Sequence, residues 1–169
     1  MRYNDFGALK AVKSPYLDSL PFRKVKGKDR WKATNRFLLW FCFEKACICL
    51  AIEKGFTFDG ASIPNVFNAL DVCGKIPERY YTGKGSALKN SAGLVHDCLY
   101  AVKGDVRGLD EPLTANECDN LLGQIWALCC GASVVFVEGA KLALKLAHTS
   151  RHWGNEIPEN LDKFKITLV

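Results

Sequence analysis

The sequence predicts a single α+β domain in which an N-terminal antiparallel β-meander or hairpin sheet packs against about three C-terminal helices. Strand-like apolar runs come first, and capped segments with helical periodicity follow. The 169 residues, 49% hydrophobic and 24% charged, suffice for one core. We assign the domain to 35–152, between an N-terminal arm (1–34) and a C-terminal tail (153–169). The arm is expected to be extended with one strand, and the tail to add a final strand or arm.

Three runs predict the strands. Residues 36–43 form a continuous aromatic and aliphatic run, which is typical of a strand buried on both faces. Residues 46–52 resume an apolar run after a short polar interruption, so the two segments are expected to pair as a hairpin. Residues 56–58 alternate as a third short strand, which delivers Asp59 at its end.

Capping signals and glycines predict the helices. Thr114 and Glu117 have the spacing of a capping box, in which each side chain bonds the backbone N–H of the other residue. Asn90 or Ser91 can cap an earlier helix, and Gly104 is placed where a left-handed residue ends one. The predicted helices run over 66–70, 91–102, 115–130 and 132–147.

The net charge of +5 is unevenly distributed. Residues 23–32, the basic strip, carry six cations and one anion. We interpret the strip as a solvated loop or strand edge, with a phosphate- or subunit-contacting surface as the alternative. No recognised nucleic-acid module surrounds it, so nucleic acid is not otherwise indicated as a partner.

Two features bear on membranes and export. The uncharged segment 121–137 falls short of the about 18–20 residues that a membrane-spanning helix needs, and a glycine interrupts it. It therefore predicts two buried helices and no membrane span. The N-terminus lacks the apolar region of a secretory signal.

The cysteine count of eight is high. Cys47 and Cys49 are separated by one residue and Cys129 and Cys130 are adjacent, and neither spacing is that of a usual zinc site. We expect free, mostly buried thiols in a reducing compartment, with a disulfide framework as the alternative.

Two short strings place polar side chains in apolar or glycine-rich surroundings: GFTFDGASIP at 55–64 and GLVHDCLY at 93–100. The first carries Asp59 and Ser62, and the second carries His96 and Asp97. Burying such groups costs about 1–3 kcal/mol each unless they are partnered. The polar side chains of the two strings are therefore expected to hydrogen-bond one another, to bind a ligand, or both.

Candidate roles follow from these residue types. His96 could act as a general base oriented by Asp97 or Asp59, and Ser62 could be a nucleophile if His96 reaches its hydroxyl. Tyr100 shares a helix face with His96, and Asp119 lies near the start of the next helix. A divalent metal held by Asp59, His96, Asp97 and Asp119 is a further hypothesis. The alternative is structural, with these side chains capping turns and helices or bonding buried backbone.

The two strings together resemble a phage and prophage family catalogued as domain of unknown function 1353. The resemblance covers roughly residues 35–150, with Asn65 standing where the family often has a basic residue. It implies a phage or prophage origin and no particular reaction. The matching residues are Gly55, Phe56, Asp59–Pro64, His96, Asp97, Leu99, Tyr100 and Asp119.

A second resemblance is to secreted phospholipase A2, whose active helix reads His-Asp-x-x-Tyr with a distant Asp behind the His. His96, Asp97, Tyr100 and Asp119 fit that order. Leu99 replaces a cysteine of that family, and no glycine-rich calcium loop precedes the helix. The similarity is one of geometry.

The expected function is that of a small phage hydrolase with a His/Asp site, with or without a divalent metal. The alternatives are a virion component associated with capsid, neck or tail, and a host-directed binding protein. The two end segments and the basic strip motivate the virion hypothesis, because extended arms often tie subunits together. The expected partners are virion proteins or a second copy of the chain, and the expected location is the host cytoplasm or the virion.

Overall fold

A computed structural model describes residues 1–16, 20–27, 30–58, 86–131, 134–147 and 160–169. In these ranges the chain forms two antiparallel sheets and three helices, and all strands but the last precede the helices, which confirms the α+β prediction. A 3-10 turn, Tyr3–Asp5, precedes the first strand. The strands are β1 (Leu9–Lys13), β2 (Phe22–Lys24), β3 (Trp31–Ala33), β4 (Phe37–Phe43), β5 (Cys47–Ile52), β6 (Thr57–Phe58) and β7 (Phe164–Leu168). The helices are α1 (Ser86–Ala101), α2 (Ala115–Cys130) and α3 (Val134–Ala147).

The main sheet has the strand order β1-β4-β5-β7. The predicted hairpin of β4 and β5 is confirmed, with Phe37 opposite Ile52 and Cys42 opposite Cys47. Alternate residues of β4 are buried and the residues between them are half-buried. The prediction that this strand is buried on both faces is therefore wrong, because its period of two puts one face on the core and leaves the other partly exposed.

The predicted arm and tail both contribute strands to the main sheet. Leu9 of β1 pairs with Phe43, and Phe164 of β7 pairs with Ile52. The first 34 residues contain β1, β2 and β3, so the expectation of one strand in an extended arm is corrected. The predicted final strand of the tail is present as β7. Strand pairing therefore crosses both of the boundaries predicted from the sequence.

The basic strip contributes half of the residues of a second sheet, which has the order β2-β3-β6. Arg23 pairs with Lys32 across the β2–β3 hairpin, and both side chains are exposed. β3 also pairs with β6, which leads the chain toward residue 59. The described cations of the strip thus occupy a solvated hairpin, as the first interpretation held.

The capping box at the start of α2 is confirmed. The Glu117 N–H donates to Thr114 Oγ1 over 3.3 Å, and the Thr114 N–H donates to Glu117 Oε2 over 2.7 Å. α2 ends at Gly131, whose φ of 62° is left-handed. α1 begins at Ser86, so the two predicted caps, Asn90 and Ser91, instead lie inside the helix, and Ser91 is fully buried. The predicted helix over 66–70 lies outside the described residues.

Two left-handed residues, Lys103 (φ 52°) and Gly104, follow the end of α1 and turn the chain back toward α2. The φ of Gly104 is +75°, its N–H donates to the Leu99 carbonyl over 2.7 Å, and its own carbonyl accepts from the Leu113 N–H over 2.9 Å. A Cβ on Gly104 would lie 1.9 Å from the Leu113 carbonyl oxygen, so only glycine fits. The connection between α1 and α2 thereby fixes the position of Thr114 and the start of α2 relative to α1.

The same connection is attached to the main sheet. The Arg107 N–H donates to the Ile166 carbonyl over 3.1 Å, and the Leu168 N–H donates to the Arg107 carbonyl over 2.9 Å. Buried residues of α1, α2 and the main sheet form one apolar core. None of the described helices is both long enough and apolar enough to cross a lipid bilayer. The core and the loop therefore hold the facing sides of α1 and α2 in place.

Candidate functional site

A buried hydrogen-bond network joins α1 to α2. Nε2 of His96 lies 2.9 Å from Oδ1 of Asp119, and the Tyr100 hydroxyl donates to the same oxygen over 2.9 Å. His96, Tyr100 and Asp119 are 7%, 3% and 3% exposed. One carboxylate oxygen therefore receives two side-chain donors in a setting where water does not compete for them.

The helical repeat brings His96 and Tyr100 together. They are four residues apart on α1, so both project from one face of the helix. Their ring centroids are 4.1 Å apart, and the planes are tilted by 30°. An imidazolium over an aromatic face is stabilised by the ring quadrupole. Tyr100 thus supports the charged form of His96 and also bonds its acidic partner.

Asp119 reaches this pair from α2. It is the fifth residue of that helix, one position beyond the first turn, where the favourable effect of the helix dipole on an anion has largely decayed. The hydrogen bonds from His96 and Tyr100 are therefore the stronger local reason for a carboxylate to be buried here.

Asp97 lies on the other side of the imidazole. Its Oδ1 is 3.5 Å from Nδ1 of His96, longer than an ordinary hydrogen bond. The Asp97 side chain is 20% exposed, whereas that of Asp119 is 5% exposed. The imidazole therefore has a tight, buried contact at Nε2 and a looser contact, nearer to solvent, at Nδ1.

The protonation of His96 follows from these neighbours. Burial lowers the pKa of His96, but the close contacts with the carboxylates of Asp119 and Asp97 and their negative charges outweigh it and raise the pKa to about 9. At neutral pH the ring is therefore an imidazolium with N–H groups directed at two carboxylates. Deprotonation above that pKa would release the Nδ1 lone pair on the side of Asp97.

The structure thus brings together four of the six predicted site residues: His96, Asp97, Tyr100 and Asp119. Asp59 and Ser62 lie outside the described residues. Within the described ranges no cluster of three or more His, Cys, Asp or Glu side chains could hold a metal ion. The predicted metal set includes Asp59, so it stays a prediction.

Sequence reasoning missed Asn160, a buried side chain that binds the backbone of β6. Its Oδ1 accepts from the Thr57 N–H over 3.1 Å, and its Nδ2 donates to the Thr57 carbonyl over 2.9 Å. This pairing fixes the strand that ends one residue before Asp59. A lone asparagine in a polar tail gives no pattern that could have predicted the contact.

Comparison of the chain with models of protein families, with curated proteins and with solved structures finds no match. The resemblance to domain of unknown function 1353 therefore stays a prediction. Functional proposals for this chain rest on the geometry of its own residues.

Proposed function

We propose that this protein is a small hydrolase of esters or amides in which His96 is the general base. The observation that carries the proposal is the 2.9 Å contact between Nε2 of His96 and Oδ1 of Asp119. A carboxylate on one ring nitrogen fixes the tautomer and orients the other nitrogen for proton transfer. Nδ1, on the more exposed side, is then the basic atom.

The proposed reaction uses water as the nucleophile. Nδ1 of neutral His96 accepts a proton from a water molecule while the water oxygen attacks the acyl carbon. The tetrahedral intermediate then collapses, and His96 returns the proton to the departing alkoxide or amine. The products are a carboxylic acid and an alcohol or amine. Positioned base catalysis of this kind contributes typically about 10²–10⁴-fold in rate.

The charge on His96 makes this an alkaline activity. With a pKa of about 9, only the minor neutral fraction of His96 is basic at neutral pH. A divalent cation on Asp97 would oppose the imidazolium charge and increase that fraction. Such a cation needs further oxygen ligands, and the predicted metal set offers Asp59 and Asp119. Activity in the presence and absence of EDTA separates the metal-assisted form from the metal-free form.

A structural role is the second candidate, and one observation favours it. Both ring nitrogens of His96 face carboxylates, and Tyr100 occupies the same Asp119 oxygen, so the described groups satisfy one another. The protein would then be a virion component or a host-directed binding protein whose polar cluster locks α1 to α2. Pairing of β1 and β7 in the main sheet weakens the case for these segments as arms that tie subunits.

Substrate hydrolysis by matched variants tests the proposal. Wild type and His96→Asn would be assayed with p-nitrophenyl butyrate, phosphatidylglycerol vesicles and a muramoyl-peptide amide, with and without EDTA. We expect wild type to hydrolyse one of these, and His96→Asn to lose about 10²-fold or more of that rate. Asp105→Asn, on the exposed loop after α1, is the control and should retain the rate.

Thermal unfolding of the same variants separates catalysis from folding. A folded His96→Asn protein with the wild-type rate would contradict the hydrolase proposal and favour the structural role, in which the polar cluster holds α1 against α2. Absence of hydrolysis of all three substrates by wild type would also count against it.

A further inference from the structure

Two cysteines face each other across the hairpin of the main sheet. Cys42 is the residue opposite Cys47 in the β4–β5 register. The hairpin closes with the Phe43 N–H donating to the Ala46 carbonyl over 2.8 Å. The two thiols are therefore the first cross-strand pair beyond the pair that closes the turn.

The pairing pattern places these two side chains close together. The N–H and carbonyl of Cys47 both bond Val169, at 3.1 and 2.8 Å, rather than β4. Cys42 and Cys47 are thus a pair without mutual backbone hydrogen bonds, the kind in which opposing Cα atoms are about 4.5 Å apart and side chains are closest. That separation is within the about 4.4–6.8 Å range of disulfide-bonded residues.

Both thiols are accessible from the same side of the sheet. Cys42 and Cys47 lie on the half-buried face, opposite the core face, and both are free. Cys49, two residues along β5 on the same face, is opposite Trp40 instead. Cys42 and Cys47 are therefore a directly paired dithiol, and Cys49 is a nearby thiol outside that pair that serves as a control.

We propose that Cys42 and Cys47 form a reversible cross-strand disulfide by exchange with a small-molecule disulfide. One thiolate attacks the external disulfide, forming a mixed disulfide and releasing one small thiol. The second cysteine, as thiolate, then attacks the bound sulfur and releases the other small thiol. Two protein thiols and one small disulfide become one protein disulfide and two small thiols, so atoms and electrons balance.

The local environment controls the rate of this exchange. Burial, with the neighbouring Cys42 thiol next in importance, raises the pKa of Cys47 to about 11. Because the thiolate is the reacting form, exchange should be slow at neutral pH and should accelerate as pH rises. The bond, once formed, joins the two central strands of the main sheet near their turn.

Peptide mapping after oxidation tests the proposal. The native full-length protein would be incubated with excess oxidised glutathione at a pH of about 9, alkylated, and digested with trypsin. Cleavage after Lys45 separates peptides 37–45 and 46–54, which carry the two strands. We expect these peptides to be joined, lighter by two hydrogen atoms than their sum, and to separate again after reduction.

Two single variants identify the bond. Cys49→Ser should leave the linked peptides unchanged, whereas Cys47→Ser should abolish them. Linkage that persists in Cys47→Ser and disappears in Cys49→Ser would overturn the assignment. Glutathione adducts without a link, or thiols that remain fully alkylatable in wild type, would overturn the proposal itself.

Discussion

Nε2 of His96 lies 2.9 Å from Oδ1 of Asp119, across 23 residues of sequence, and both side chains are buried. This contact joins the middle of α1 to the beginning of α2. Removing one member would leave the other buried with an unmet charge or hydrogen bond, which costs more than the bond itself contributes. The network thus makes the stability of the helix pair sensitive to single polar substitutions.

Tyr100→Phe should lower the free energy of unfolding by about 1.5–3 kcal/mol, because it removes a hydrogen bond to a buried charged group. Tyr3→Phe is the matched control, since the buried Tyr3 hydroxyl has no hydrogen-bond partner in the described part of the chain. That variant should be neutral or slightly stabilising. Urea denaturation measures both, and equal losses would contradict the role given to the Tyr100 hydroxyl.

Stability should depend on pH through His96. Its pKa is raised from 6.5 to about 9 in the folded state, so its contribution is complete below pH 6.5 and is lost as pH rises through 9. Relative to His96→Gln, which does not titrate, wild type should lose up to about 3 kcal/mol over that interval. Urea denaturation at a series of pH values tests this, and parallel curves for the two proteins would contradict it.

Gly104→Ala should destabilise the protein more than Gly27→Ala. Both glycines have positive φ, +75° and +74°, so alanine is strained by about 1 kcal/mol at either position. Of the two, only Gly104 has a backbone carbonyl in the space of the added methyl. Gly104→Ala should therefore lower the free energy of unfolding by about 2–3 kcal/mol or more. Thermal unfolding compares them, and equal shifts in Tm would count against the close approach to Leu113.

Asn160→Leu should destabilise the second sheet (β2-β3-β6), because the Thr57 N–H and carbonyl both lose their hydrogen-bond partner. Each buried unmet group costs about 1–3 kcal/mol. Asn116→Leu, at an exposed position of α2, is the control and should change stability little. Amide hydrogen exchange at Thr57 reports the local effect. If the Thr57 amide of Asn160→Leu exchanged its hydrogen as slowly as in wild type, the pairing of Asn160 with the Thr57 backbone would be contradicted.

The sequence predicted the hairpin and the second helix because their signals are local. A seven-residue apolar run makes β4, and Thr114 with Glu117 makes a capping box, whatever lies elsewhere in the chain. β2 and β3 were missed because short basic segments lack a strand signature, and their pairing with each other and with β6 defines them. One strand was expected in residues 1–34 without being placed, and β1 could not be located because its pairing with β4 defines it.

In the site, too, a contact within one helix could be predicted from the sequence, whereas contacts between distant segments depend on how the elements pack. The four-residue spacing put His96 and Tyr100 on one face, and that expectation is confirmed by their ring contact. Convergence with Asp119 was a hypothesis about helix packing, and the structure places the carboxylate against His96. Asn160 could not be predicted, because its partner is backbone on a strand 103 residues away.

The rate of p-nitrophenyl butyrate hydrolysis against pH, in wild type and Asp119→Asn, tests the proposed function most directly. If neutral His96 is the base, the wild-type rate should rise with pH to a plateau above about 9, the pKa of His96. In Asp119→Asn the plateau should be lower by about 10²-fold or more, and its midpoint should move to lower pH. A wild-type rate that does not change with pH, or equal profiles for the two proteins, would contradict His96–Asp119 catalysis.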